Sequence, residues 1–256
     1  MKLERIRQEE KEYHDYCYDH YKLFEKGSWL YKPVRTVMEI VPLLSDLKNI
    51  QILDLGSGVG RNSIPLIQVL KDQGVSVDCV DILDSALRKL EQYSQEFKVI
   101  DHVTPIKADI STYEIKENTY DLIVAVSSLE HVDSVESLKD VLQRMERGTR
   151  TGGINCLIVN SEVTETDVET QKSIDVFMEI NMNTNDMTKL LRDTYSNWEI
   201  LKTVVNPLSY EIVRNQKPVV LATNAITFVV RKNKYESFQQ VDWKLFLTDI
   251  FRWIVS

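Results

Sequence analysis

The chain has 256 residues, 43% hydrophobic and 27% charged, the proportions of a globular protein with a full core and a length suited to one α/β domain with additions. Its 39 acidic against 31 basic residues give a net charge of −8, which disfavours a broad polyanion-binding role. Cys17, Cys79 and Cys156 are odd in number and widely spaced; they make neither a zinc pattern nor a disulfide framework and point to a reducing cytoplasm.

The first ten residues are too charged for a signal peptide. The densest apolar run, 122–126, is strand-sized and far from the ~20 residues of a membrane span, so no membrane partner is expected. Residues 1 to about 26 read as a helix, because Tyr13, Cys17, Tyr21 and Phe24 recur on one helical face, with Gly27 as its stop. A second helix is predicted from Pro33, with Val34, Val37, Val41 and Leu44 on its apolar face and an irregular last turn at Pro42.

From Ile50 strands and helices alternate: strands at 50–55, 75–80, 104–108, 120–126 and 154–159, helices at 61–71, 84–95 and 134–147. That alternation predicts a parallel sheet with covering helices, and the unbroken run Leu122 to Val126 suits a strand buried on both faces. Residues 161–183 are polar and acidic and read as a long loop with a short helix. A helix at about 184–195 follows, then an antiparallel ending of strands near 198–205 and 220–231. In 236–256, Val241, Leu245, Ile250, Phe251 and Ile254 share one broad helical face, with Trp243, Phe246 and Trp253 around it. A closing helix packed on the body is the main reading, and a homodimer contact through that helix the sharper one.

The first chemical signal is Asp54-Leu55-Gly56-Ser57-Gly58-Val59-Gly60-Arg61-Asn62, between a buried strand and a helix. Glycines there let the backbone turn tightly and approach a ligand, and the helix start supplies free N–H groups. The dinucleotide fingerprint G-x-G-x-x-G needs glycine where Arg61 stands, and no GK[ST] follows, so neither that motif nor a P-loop is present. Asp81 ends the second strand, 27 residues after Asp54, where a carboxylate can accept both hydroxyls of a ribose. Asp109 ends the third and can take a hydrogen bond from the exocyclic amine of a base. The fourth ends at Ser127-Ser128-Leu129-Glu130-His131. Each aspartate alone is equally a helix cap or turn former; four such features at consecutive strand ends point to the ligand crevice of an open α/β sheet.

With these residues the sequence resembles a class I S-adenosylmethionine-dependent methyltransferase. The glycine loop 54–60, Asp81, Ala108-Asp109-Ile110, Tyr120-Asp121-Leu122-Ile123, Leu129-Glu130-His131-Val132 and Gly152-Gly153 carry the resemblance, which covers about 50–160 well and 184–231 more loosely. Leu53 to Ser63, Gly152-Gly153-Ile154-Asn155 and Leu191-Arg192 with Trp198 are similar to the tellurite-resistance methyltransferases. The resemblance implies a Rossmann-like, doubly wound, mostly parallel seven-stranded sheet with an antiparallel last strand, to which the residues themselves add N-terminal helices and a C-terminal helix that depart from the compact family form. The domains expected are a helical lid at 1–45, a cofactor-binding domain at 46–235 and the closing helix 236–256 as part of it. The implied cofactor is S-adenosyl-L-methionine, the implied product S-adenosyl-L-homocysteine, and no metal. Asp54, Gly56, Gly58 and Gly60 would hold the methionine part, Asp81 the ribose and Asp109 the adenine amine beside the Ile110 amide, with Ile82 on the adenine face; Ser57, Arg61, Asn62 and Ser127 are counted with them.

Methyl transfer from a sulfonium is an in-line displacement in which the enzyme mainly positions the reactants, and a base is needed only for a protonated nucleophile. His131 is the candidate base. The N-terminal segment holds seven aromatic residues within 13–31, of a chain with 4 Trp, 11 Tyr and 7 Phe; it reads as a lid, with Trp29 and Tyr31 next to the substrate. Arg192 is the third candidate substrate residue. The acidity of 161–183 favours a neutral or amine-bearing small-molecule acceptor, whereas the tellurite-resistance likeness pulls towards oxyanions. The alternatives are a nucleic-acid or protein methyltransferase, for which no RNA-binding module is visible, a non-catalytic cofactor-binding protein, and a nicotinamide oxidoreductase, which Arg61 counts against.

Overall fold

The computed structural model describes residues 2–214 and 217–233; the closing helix at 236–256 and the dimer contact expected of it lie outside the described residues. The chain begins with α1 (Lys2–His20) and two single-turn 3-10 segments around the short α2 (Arg35–Glu39). The wound body then follows as β1 (Gln51–Leu55), α3 (Ser63–Leu70), β2 (Ser76–Asp81), α4 (Asp84–Glu96), β3 (Val103–Lys107), β4 (Tyr120–Val126), α5 (Val135–Gly148) and β5 (Thr149–Asp167). A two-residue β6 (Ser173–Ile174), α6 (Thr184–Thr194) and the hairpin β7 (Glu199–Arg214) and β8 (Lys217–Arg231) complete it.

The sheet has eight strands, seven of them in the order β3-β2-β1-β4-β5-β8-β7, with β6 paired on β5. β1 to β5 are mutually parallel, and β8 runs antiparallel between β5 and β7. Side chains alternate across a strand, so the unbroken apolar runs divide by parity into two cores. Ile52, Leu122, Val124 and Cys156 face α2, α3 and α4, meeting Val37, Ile64, Ile67 and Leu90. Leu53, Ile123, Ala125 and Leu157 face α5 and α6, meeting Leu138, Val141, Leu142 and Leu191. Each such fully buried Leu or Ile contributes about 1.5–3 kcal/mol. The N-terminal segment shares the first core through Tyr18, Leu23 and Leu30. Among the described residues no helix is long and apolar enough to cross a membrane.

Three expectations from the sequence are corrected. The first helix stops at His20, not about 26, and the chain turns at Phe24 and Gly27, both with positive φ. The second is only five residues long before it tightens at Val41–Leu43 around Pro42. Residues 161–183 are not one long loop: β5 continues to Asp167, bulges between Ser161 and Thr164, and pairs along β8 to Val219. The alternation was present, with Val163, Glu165 and Asp167 buried between exposed Glu162 and Thr164. Its inward residues are acidic, however, so it does not look like a strand.

Candidate functional site

A cavity of about 1750 Å³ opens at the carboxyl ends of β1 to β4, where open α/β sheets take ligands. Its floor is the glycine loop. Gly56 and Gly58 have φ of +75° and +55°, a region that side chains with Cβ avoid. A Cβ on Gly56 would come within 2.4 Å of the Ser128 Cβ. Only glycine lets this turn pass beneath the β4 loop. Gly60 packs instead against Leu90 and Ile64 and does not line the cavity.

Asp81 sits at the end of β2 and lines the cavity. Its Oδ2 accepts from the Gly58 amide at 2.8 Å and its Oδ1 from the Leu83 amide at 2.9 Å. Burial raises its pKa against these backbone hydrogen bonds. Beside it Ile82 holds an apolar side chain 48% exposed in the cavity wall. Asp54 lies behind the loop: it is fully buried, accepts from the Ser63 hydroxyl at 2.5 Å and is pushed up to about 6 by burial. It shapes the loop without reaching the cavity surface. Ser57 Oγ, on the cavity side, is sealed from water and has no partner among the described residues.

Asp109 and Ile110 line the next strand end. Asp109 accepts from the Ser111 amide at 2.9 Å and pairs with Arg7 of α1 at 3.1 Å. Ser127, at φ +49°, accepts from Asn160 Nδ2 at 3.3 Å. Asn62 Oδ1 accepts from the Val34 amide at 2.9 Å, and Arg61 donates to the Trp29 carbonyl at 2.7 Å and stacks on its ring at 5.0 Å. These contacts fasten the N-terminal segment to the glycine loop. Trp29 lines the cavity; Tyr31, under the Lys32 ammonium, does not, and exposed Arg192 on α6 lies among the helices of the other sheet face. Neither stands where a substrate residue was expected, because both were chosen by sequence proximity or motif likeness rather than by position at a strand end.

α1 forms the opposite wall. Besides the Arg7–Asp109 pair, Asp15 accepts from the Ser85 hydroxyl at the start of α4, and Glu10 pairs at 2.6 Å with Arg214 at the tip of β7. His131 Nδ1 meets Glu179 at 2.9 Å. Burial opposes charge on that imidazole, but the Glu179 hydrogen bond and the fields of Glu10 and Glu130 outweigh it and raise its pKa to about 9. His131 is therefore cationic at neutral pH, a donor rather than the base expected of it. His14 behaves oppositely. Burial lowers its pKa; its Nε2 faces Glu10 at 3.9 Å, its Nδ1 is sealed without a partner among the described residues, and its ring sits among Tyr13, Tyr18 and Trp29. Glu10, His14, Glu179 and Arg214 escaped the sequence reading. Only the i, i+4 spacing of Glu10 and His14 offered a signal.

The sheet order, the glycine loop after β1 and the ligand loops at the strand ends define a class I S-adenosylmethionine-dependent methyltransferase fold. Residues 52–153 match the family model described as a methyltransferase domain. Solved structures similar to it include TehB from Haemophilus influenzae, 20% identical over 86% of this chain and 67% of that one at a TM-score of 0.58. Another is a SAM-dependent methyltransferase from Methanosarcina mazei, 16% identical over 80% of this chain and 100% of that one at a TM-score of 0.56. At these identities the likeness is one of fold. Sterol 24-C-methyltransferase of Saccharomyces cerevisiae is 22% identical over 121 residues, 47% of this chain and 31% of its own length; the chain thus matches about a third of that relative. The cofactor of the class is S-adenosylmethionine.

Proposed function

We propose that the chain transfers a methyl group from S-adenosylmethionine to an uncharged small-molecule acceptor. The observation that carries this reading is Asp81, clamped by the amides of Gly58 and Leu83 at the cavity wall. A carboxylate so fixed accepts a pair of vicinal hydroxyls without reorganising. The unpartnered Ser57 hydroxyl and the exposed apolar face of Ile82 fit the same ligand, one polar at its amino-acid end and flat and apolar at its base.

The cofactor supplies an electrophilic methyl group on a sulfonium. The chain's residues bind and orient. Gly56, Gly58 and Ser57 bring backbone and hydroxyl up to the amino-acid end, with Arg61 and Asn62 behind them and Asp54 setting the loop from within. Asp81 takes the ribose, Ile82 packs on the base, and Asp109 with the Ile110 amide meets its polar edge; Ser127 closes the fourth strand end. The neutral His14 imidazole takes the acceptor's proton, and cationic His131 donates a hydrogen bond. α1 and Trp29 act as a lid that keeps water out. A wall made by a helix pinned at both sides favours a small acceptor over nucleic acid or protein.

The test is calorimetric titration of the folded protein with S-adenosylmethionine, S-adenosylhomocysteine and NAD, repeated with Asp81→Ala. Both sulfur compounds are expected to bind, and the substitution to weaken them by about 1–3 kcal/mol. Binding of NAD in their place, or equal binding by the variant, overturns the reading.

A further inference from the structure

The end of the cavity away from the glycine loop is dominated by one side chain. Arg214 is 6% exposed and lines the cavity. Its Nη2 serves both Glu10 at 2.6 Å and Glu165 at 3.3 Å. Its Cζ lies 5.5 Å from the ring centre of Tyr13 and 5.8 Å from that of Phe177. Its Nε and Nη1 are shut off from water and have no partner among the described residues. Buried donors are otherwise nearly always satisfied, and an unsatisfied charged one is costly. A guanidinium held this firmly with idle N–H groups at a cavity wall is a site that waits for a ligand oxygen.

The geometry also says which oxygen. A two-pronged pairing with a carboxylate or other oxyanion needs two adjacent N–H groups of the guanidinium fork. Every such pair includes Nη2, and Nη2 is already committed to the two glutamates. The free donors lie on separate edges of the plane and each can meet one oxygen. The surroundings agree. Glu10 and Glu165 already match the guanidinium with acid, so an anion entering here adds uncompensated buried charge. We propose that Arg214 anchors the methyl acceptor, and that it selects acceptors presenting an uncharged carbonyl or hydroxyl oxygen over carboxylates and other oxyanions. This rests on the methyltransferase reading and narrows its acceptor class.

The test uses the full chain saturated with S-adenosylhomocysteine and two probes of one shape, benzamide and benzoate. Binding is followed by nuclear magnetic resonance on the arginine Nε–H signals, that of Arg214 being assigned by its loss in Arg214→Lys. Benzamide is expected to shift the Arg214 signal and to bind at least tenfold more tightly than benzoate. In Arg214→Lys that preference should shrink below twofold, while S-adenosylhomocysteine affinity stays within twofold. Glu10→Gln, which removes one of the two charges on the guanidinium but leaves the anchor, should keep benzamide affinity within twofold and narrow the preference by admitting benzoate. Benzoate binding as well as benzamide, a preference that survives in Arg214→Lys, or an unmoved Arg214 signal in the wild type overturns the inference. So does Glu10→Gln losing benzamide binding itself, since the arginine then only ties down the helix. Failure of the wild type to take up S-adenosylhomocysteine defeats the methyltransferase reading itself, and is read separately from the probes.

Discussion

The two walls of the cavity are made differently. The floor, at the ends of β1 to β4, is backbone: glycine turns at positive φ, and amides clamping Asp81. Its turns are local, and the Gly58 amide reaches Asp81 across 23 positions. The far wall is side-chain charge: Glu10 on α1, Glu165 on β5, Arg214 on β7 and Glu179 beside His131. No two of its pairs are local. A backbone floor fixes one ligand shape and tolerates little change; a wall of paired charges can be redrawn by single substitutions, at the risk of burying a charge without its partner. The constant ligand belongs with the first wall and the variable one with the second.

That contrast can be broken at several points. The largest effect is expected from Arg214→Ala, which leaves Glu165, fully buried, without its cation; stability should fall by about 3–5 kcal/mol in denaturant unfolding, and a loss under 1 kcal/mol makes the far wall ornamental. Gly56→Ala forces a Cβ into Ser128 at an unfavourable φ. It should cost about 2–4 kcal/mol together with S-adenosylhomocysteine binding, and retention of both in calorimetry denies the floor its rigidity.

His131 gives a smaller, pH-dependent effect. Its pKa in the fold, about 9, exceeds the ordinary ~6.5, so its contribution is complete below about pH 6.5 and is lost as the pH rises through 9. Melting across that range should show a decline of about 1–3 kcal/mol that His131→Asn flattens; an equal decline in the variant assigns it to other groups. The smallest effect belongs to Arg192→Ala, on an exposed helix face away from both walls. Stability and S-adenosylhomocysteine affinity should stay within about 0.5 kcal/mol, and a larger loss of affinity would restore it to the site.

What the sequence disclosed follows the same division. The floor was legible because a strand, a glycine turn and a helix leave a contiguous trace, and because parity divides Leu122 to Val126 between two cores. The far wall was not. Glu165 and Asp167 sit at inward positions of β5, and an acid turned inward reads as a loop until its cation, 49 positions away, is known. The first helix was read too long because Tyr21 and Phe24 continue its apolar face although the helix ends at His20 and the chain turns at positive φ at Phe24. Tyr31, half-buried, and Arg192, exposed, are plausible residue types that do not line the cavity.

The Glu10–Arg214 pair joins residues 204 positions apart. During synthesis α1 leaves the ribosome early and its anchor among the last elements. At roughly 5–20 residues per second the helix waits about 10–40 s for its partner, and closing so long a loop carries its own entropy cost. Over that interval Tyr18 can already settle into the first core, but Glu10 and Tyr13 wait for the guanidinium they meet in the finished fold, so they are the last side chains of the N-terminal helix to find their partners.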